Sequence, residues 1–306
     1  MHQSTGVFRQ VLCLVATVMI AVGLSACVTN HEGGNPPGWR QVIPAANPDV
    51  MALVPADIAA KGTISIGTNP PFAPAQFKDP DGKIIGFEMD LARAAAATMG
   101  LELKINDLDF SMILPAVSAG TIDFGASGFT DNEERRKTYD FVDFLMAGIQ
   151  WAAQTGHPVD PDNACGLTVA VQRNTVSDTD DVTGRNEQCI ADGKPEIKKL
   201  PYDSSDAAAT ALVLGRADAL SADSPTTAWA VERSEGKIML TGSIFDAAPY
   251  GWPVPKDSPL ADALAAALQS MINDGTYAEI MHMWGITDGL VEQANINGHP
   301  AAQPVG

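Results

Sequence analysis

From residue 55 the apolar positions of the chain switch back and forth between two periods. TISIG (63–67) alternates apolar and polar like a half-buried strand, DPDG (79–82) is a turn, and EMDLARAAAATM (88–99) repeats on a helical spacing closed by Gly100. LELKIN (101–106) alternates again. SMILPAVSAG (111–120) is a helix whose Gly120 can take the left-handed cap conformation, and the strand TIDFGAS (121–127) follows. The scheme restarts with LTVAVQ (167–172) as a strand, a helix, the strand EIKKL (196–200), the helix DAAATALVLG (206–215) and the strand ADALSA (217–222). After KIMLTG (237–242) come two closing helices, PLADALAAALQSMIND (259–274) and TYAEIMHMWG (276–285). Strands and helices in this alternation predict an α/β protein.

Part of the pattern is written twice. AVSAGTIDFGASGFT (116–130) and ALVLGRADALSADSP (211–225) align without gaps, matching Ala116 with Ala211, Gly120 with Gly215 and Asp123 with Asp218. Each unit is a helix, a cap glycine, a strand with an early aspartate and a new helix start. We therefore expect two similar lobes with mostly parallel sheets, whose ligand groups lie beyond the carboxyl ends of the strands. The second lobe's elements are exhausted before the closing helices, so the chain is expected to return and complete the first lobe. Two crossings would then join the lobes, near GIQWAAQ (148–154) and PYGWPV (249–254). Each carries a tryptophan, Trp151 and Trp252, read as hinge packing in preference to ligand contact. The expected boundaries are 55–150 plus 252–290 for lobe one, 151–251 for lobe two and 291–306 for a C-terminal tail.

The N-terminus adds a different signal. Arg9 leads into the apolar run VLCLVATVMIAVGL and then Leu24-Ser25-Ala26-Cys27. The run is short for a membrane span, which needs about 20 apolar residues, and it ends in small residues, so 1–26 reads as a signal peptide. The tetrad resembles the bacterial lipobox, which implies that Cys27 is lipidated and becomes the new N-terminus; a plain secretory cleavage nearby is the alternative. Acyl chains hold a protein on a membrane at about 0.8 kcal/mol per buried CH₂. Residues 27–54, rich in Gly, Pro and Asn, read as a flexible tether that stands the folded body off the outer face of the cytoplasmic membrane.

Composition narrows the partners. The chain has 37 acidic and 19 basic residues, a formal net charge of −18, which argues against nucleic acid. Of four cysteines, Cys13 falls in the signal and Cys27 at the anchor, leaving Cys165 and Cys189 as an even pair in an exported chain, where disulfides persist. The five histidines are scattered, and neither a metal nor a cofactor is expected.

The segments GTISIGTNPPFAPAQFKDPDGKIIGFEMDLARA, FSMILPAVSAGTIDFGASGFTDNEERRKTYDF and GLTVAVQRNT resemble the family 3 extracellular solute-binding proteins of ABC importers. The likeness runs from about Pro55 to the terminal helix. It rests on the GFxxDL step (Gly86 to Leu91), the helix-Gly-x-x-Asp step and the pair Glu134-Arg135. The resemblance implies a two-lobed, periplasmic-binding-protein-like type II fold with two hinge crossings. It also implies an amino-acid-like ligand held in the cleft, and delivery to ABC permease subunits. Carried over by position, Arg135 would bind the ligand's α-carboxylate and Asp223 its α-ammonium. Phe72 and Phe110 would sandwich it, Ser127 and Thr130 would be polar donors from lobe one, and Asn174 and Thr175 would face the carboxylate from lobe two. The chain departs from the pattern at Asn69, where aspartate is frequent, at Gly128, where serine is frequent, and at Phe72, where tyrosine is usual. Asn69 is kept among the ligand-binding positions and weighs against a cationic ligand side chain.

Local chemistry offers plainer roles for the same residues. In TDNEERRK (130–137), Thr130 and Glu133 fit a capping box, and Asp131–Arg135 and Glu133–Lys137 are i,i+4 pairs. What favours a binding role for Arg135 is its place just after a strand end and the two parallel bonds a guanidinium makes to a carboxylate; Arg136 and Lys137 keep the reading of a solvated face. Asp223 precedes Ser224 and Pro225, where Ser224 already offers a cap. A cation from one lobe and an anion from the other suit a zwitterion. The reading is a monomeric, lipid-anchored solute receptor and not an enzyme. Its rivals are a dehydratase on the same fold and a sensory receptor for the same ligand.

Overall fold

The alternating run at the start of the body folds as a parallel sheet in a computed structural model of the protein, which describes residues 33–301. The proposed signal peptide, Cys27 and the last residues of the tail lie outside the described residues. Two short helices, α1 (Pro48–Met51) and α2 (Ala56–Lys61), lead into β1 (Thr63–Thr68). The small ribbon β2 (Phe77–Lys78) and β3 (Ile84–Ile85) precedes α3 (Phe87–Thr98), and β4 (Glu102–Asp107), α4 (Phe110–Ser118) and β5 (Phe124–Gly125) follow. The sheet order is β4-β1-β5, all parallel. Only two residues of the TIDFGAS run pair as a strand. Gly86 caps the start of α3 at φ +136, and a Cβ there would lie 2.1 Å from the Ala75 carbonyl oxygen, so the GFxxDL step requires its glycine.

A short helix α5 (Glu133–Arg136) precedes β6 (Tyr139–Gln154), which leaves this lobe and enters the next. There β7 (Thr168–Gln172), α6 (Thr183–Ala191), β8 (Lys198–Tyr202), α7 (Ser205–Val213), β9 (Ala219–Asp223) and α8 (Ser224–Arg233) alternate. β7 is parallel to both β8 and β9. The strand expected at 196–200 lies at 198–202. β10 (Ile238–Pro255) is one long strand that takes in both KIMLTG and PYGWPV and pairs antiparallel along β6, from Ile238 opposite Gln154 to Pro255 opposite Tyr139. These two strands are the crossings. Boundaries drawn at 150/151 and 251/252 therefore cut through continuous strands. The chain then returns through α9 (Leu260–Asn273) and α10 (Thr276–Met283), which pack on the first lobe.

Two expectations about the ends need correcting. The tail beyond residue 290 includes β11 (Leu290–Ile296), paired with β6, and β12 (His299–Pro300), paired with β11. The tether, read as flexible throughout, is fixed to the body from Trp39 onward. The Trp39 indole donates to Asp90 at 2.7 Å, Arg40 pairs with Glu279, and Asn47 Nδ2 donates to Ser270 at 3.2 Å. Asp90, in the GFxxDL step, also accepts from the Trp284 indole at 2.9 Å and from Arg93 at 3.1 Å. A carboxylate buried with three donors is a structural hub. Sequence composition around Trp39 hid this, because the partners come from α3, α9 and α10.

The internal repeat is a repeat of hydrogen bonds. Asp123 Oδ2 accepts from Ser65 N at 2.7 Å, and Asp218 Oδ2 accepts from Thr168 N at 2.7 Å. Gly120 and Gly215 have φ of +66° and +68°, and the next residues, Thr121 and Arg216, donate to Ala116 O and Ala211 O. In each lobe one aspartate fixes the start of the first strand against the last. Within the second lobe Cys165 and Cys189 form a disulfide with a Cα–Cα distance of 5.6 Å. Among the described residues no helix is long and apolar enough to cross a membrane.

Candidate ligand-binding site

Strand ends and helix starts of both lobes converge on a small cavity lined by Phe72, Phe110, Ser127, Gly128, Thr130, Arg135, Thr175, Val176 and Asp223. Seven of these were expected from the sequence; Gly128 and Val176 were not. Asn69 and Asn174 are absent from the lining. Asn174 is exposed at φ +63°, its N–H donating 2.8 Å to Asp178 Oδ2, so it shapes the turn before Thr175 without facing the cavity. Asn69 is buried one layer back. Its Nδ2 donates to Leu108 O at 2.9 Å, its Oδ1 accepts from Gln172 Nε2 at 2.9 Å, and this last bond crosses from one lobe to the other.

The cation sits on a tightly held turn. Asn132, not Thr130, caps α5, accepting from Arg135 N at 2.9 Å. The capping-box expectation fails because the helix begins only at Glu133, and the Thr130 backbone pairs in a bridge with Tyr250 of β10. Arg135 Nη1 donates to Thr130 O at 2.8 Å and its Cζ lies 5.4 Å from the Phe129 ring centre, while Phe129 stacks on Phe110 at 4.7 Å. One of five guanidinium donors is thereby used to hold the group, and others remain for a carboxylate. Arg135 as a residue is half-buried, but burial of its guanidinium lowers its pKa, opposed by Asp223, Asp180 and Asp131.

The ion pairs expected around it are rearranged. Asp131 pairs with Arg136, at 2.5 Å to Nε and 2.8 Å to Nη2, and Lys137 pairs with Glu134. The Asp131 side chain is fully buried, so Arg136 belongs to a two-bond structural pair and not to a solvated face. Lys137 stays exposed.

The anion comes from the second lobe. Asp223 is the N-cap residue of α8 but its side chain makes no capping bond, and Ser224 is the first helical residue rather than the cap. The carboxylate is left for the cleft. Burial raises its pKa to about 6, against the opposing effects of the Tyr250 hydroxyl and Arg135. Tyr250, buried on β10 outside the lining but close to Asp223, is a neighbour that sequence reading missed, since its approach depends on the path of the crossing strand.

Neutral groups line the cavity and back its wall. Ser127 Oγ accepts from Asn69 N at 3.0 Å and from Gln76 Nε2 at 2.9 Å, leaving its hydroxyl hydrogen free to donate. Behind the lining, Gln76 Oε1 and Gln172 Oε1 are buried acceptors without a hydrogen-bond partner among the described residues. Gly128 has φ +61°, and a Cβ there would lie 2.7 Å from Phe72 Cε1, which explains glycine where serine is frequent. Trp151 and Trp252 do not line the cavity. The Trp151 indole donates to Asp181 at 2.7 Å, and Trp252 packs on Phe124 and Phe144.

Comparison with known proteins agrees with this architecture. The arginine-binding protein ArgT of Corynebacterium glutamicum is 56% identical over 294 residues, covering 95% of this chain and 97% of that protein. An ABC transporter glutamine-binding protein, GlnH of Bacillus subtilis, is 31% identical over 211 residues, 66% of this chain and 73% of that protein. The solved structure of an ancestral arginine-binding protein bound to arginine superimposes with a TM-score of 0.67 at 32% identity, covering 73% of this chain and 98% of that one. The family model for bacterial extracellular solute-binding proteins, family 3, matches residues 64–287. With its two lobes, two crossing strands and interlobe cavity, the chain belongs to that family.

Proposed function

We propose that the protein captures an α-amino acid, arginine foremost, and passes it to the membrane permease of an ABC importer. The single observation that carries the ligand class is that Arg135 from one lobe and Asp223 from the other line one cavity. Arg135 takes the α-carboxylate in the plane of its guanidinium, and Asp223 takes the α-ammonium. A ligand that bridges both binds the closed form better than the open one, and its differential affinity shifts the population toward closure. Phe72 and Phe110 flank the ligand's side chain.

The names of the relatives favour arginine or a side-chain amide over other amino acids. Asn69 in place of an acid weighs less against arginine once Gln76 and Gln172 are considered. Their amide oxygens are buried acceptors, suited to guanidinium or carboxamide N–H groups. These relatives are binding proteins, and the role proposed here is binding without turnover. Lipidation at Cys27 after removal of residues 1–26 would hold the receptor, as a monomer, at the outer face of the membrane. A thermal-shift series on ligand-stripped protein tests the ligand class. Arginine should raise the melting temperature most, glutamine and citrulline less, and glutamate and leucine little; a rise with leucine or glutamate alone would overturn the assignment.

A further inference from the structure

Glu88 is the second residue of α3 and is fully buried, yet neither the fold hub at Asp90 nor the clamp uses it. Its Oε2 accepts the Gly128 N–H at 2.8 Å, a buried bond from the helix to the cavity wall. Gly128 stands between Ser127 and Phe129, holds a left-handed φ of +61° and leans against Phe72. Residues 127 to 130 thus turn along the cavity, and their tie to the helix behind is a carboxyl group. A carboxyl buried in this way costs free energy unless hydrogen bonds offset it, and the Gly128 N–H supplies one.

We propose that Glu88 is the positioning residue of the binding loop: its carboxyl grips the Gly128 amide and so sets where Ser127 and Thr130 meet the ligand. It touches no ligand itself, and the role rests on the amino-acid site described above. Removing the grip strips the buried Gly128 N–H of this acceptor and lets the turn relax toward Phe72. The ionisation state of the carboxyl supports the assignment. Burial raises the Glu88 pKa to about 8, opposed by the Gly128 N–H and the Trp252 indole. The titratable group facing it from β10 is Tyr250, whose own pKa burial raises further and beyond which lies Asp223. The loop side contributes the Gly128 backbone. On its own helix, Asp90 and Arg93 are paired with one another. Near neutral pH the carboxyl is therefore largely protonated, and a glutamine side chain is its near isostere.

The test combines two variants and one spectroscopic probe. Glu88→Gln should bind L-arginine within about threefold of wild type, and Glu88→Ala at least about tenfold more weakly. In wild-type protein the Gly128 amide proton should titrate with a midpoint near pH 8, and in Glu88→Gln it should not. A folded Glu88→Ala protein with wild-type affinity would overturn the proposal, as would a Gly128 amide that is flat with pH or that titrates equally in Glu88→Gln. The amide titration needs neither ligand nor a stable Ala variant. If it behaves as expected while no amino acid binds, the ligand assignment fails and the grip of Glu88 on the Gly128 loop stands.

Discussion

Replacing Arg135 by alanine should weaken amino-acid binding more than any neighbouring charge removal. Its guanidinium is held by Thr130 O at 2.8 Å, lies over Phe129 and is surrounded by Asp223, Asp180 and Asp131. With Arg135 gone, the ligand carboxylate would enter a site whose nearest charges are acids. Removing one partner of a desolvated, hydrogen-bonded charge pair costs about 2–5 kcal/mol, or roughly 30- to several-thousand-fold in affinity. The cost of ionising Asp223 points to the same scale. A rise from 3.8 to about 6 corresponds to about 3 kcal/mol against its charged form even with Arg135 present. Arg135→Lys should also lose at least about tenfold, because one ammonium cannot keep the Thr130 bond and present a planar fork. Lys137→Ala is the proper control, being exposed and, among the described residues, paired with Glu134 alone, and should stay within about twofold. Arg136→Ala is not a silent control, since it strands the buried Asp131. Calorimetry with L-arginine on the three variants measures this directly. An Arg135→Ala protein that melts cooperatively and binds within about threefold of wild type would refute the clamp.

Other outcomes follow from the same geometry. Asp223 must be ionised to accept an ammonium, and its ligand-free pKa of about 6 means that binding releases a proton below that pH. Arginine affinity should therefore be nearly flat around pH 7 and fall toward tenfold per unit below about pH 5.5, in calorimetry across that range; a profile that stays flat down to about pH 4.5 would contradict the role of Asp223. Arg136→Ala should lower unfolding stability by about 1–3 kcal/mol in urea titration, between the exposed and fully buried limits for ion pairs. Reducing the Cys165–Cys189 bond should lower stability by roughly 3 kcal/mol in the loop-entropy picture while leaving affinity nearly unchanged, because neither cysteine lines the cavity. Cys27→Ala should move the protein from the membrane fraction to the soluble one or stall its processing, read by fractionation and blotting; a processed, membrane-bound variant would sink the anchor proposal.

The elements that local periodicity governs were legible in the sequence. α3, α9, β1 and β7 lie within a residue or two of their expected spans, because each has a clear apolar period and a capping or turn signal at its ends. The 116–130 and 211–225 echo announced a shared backbone scheme, and the paired aspartates are its hydrogen-bond content. What could not be read depends on contacts between distant segments. β10 looks interrupted in sequence, with Gly242, Pro249 and Pro253 inside it, and is continuous only because β6 supplies a partner along its length. The Arg136–Asp131 pair defeats the i,i+4 rule since Asp131 lies before the helix, where spacing along a helix face does not apply. Gln76, Gln172, Tyr250 and Glu88 stand behind the lining, against Ser127, Asn69, Asp223 and Gly128, and no spacing in the chain marks them.

Whether this cleft recognises both ends of an α-amino acid is decided by one comparison. Ligand-stripped protein should be titrated by calorimetry with L-arginine and with agmatine, which keeps the guanidinium and the chain but lacks the α-carboxylate. Arginine should bind saturably at one site and agmatine at least about a hundredfold more weakly, as expected when Arg135 and its facing acids lose their bridging ligand. Agmatine binding as tightly as arginine, or no heat from any α-amino acid, would contradict it.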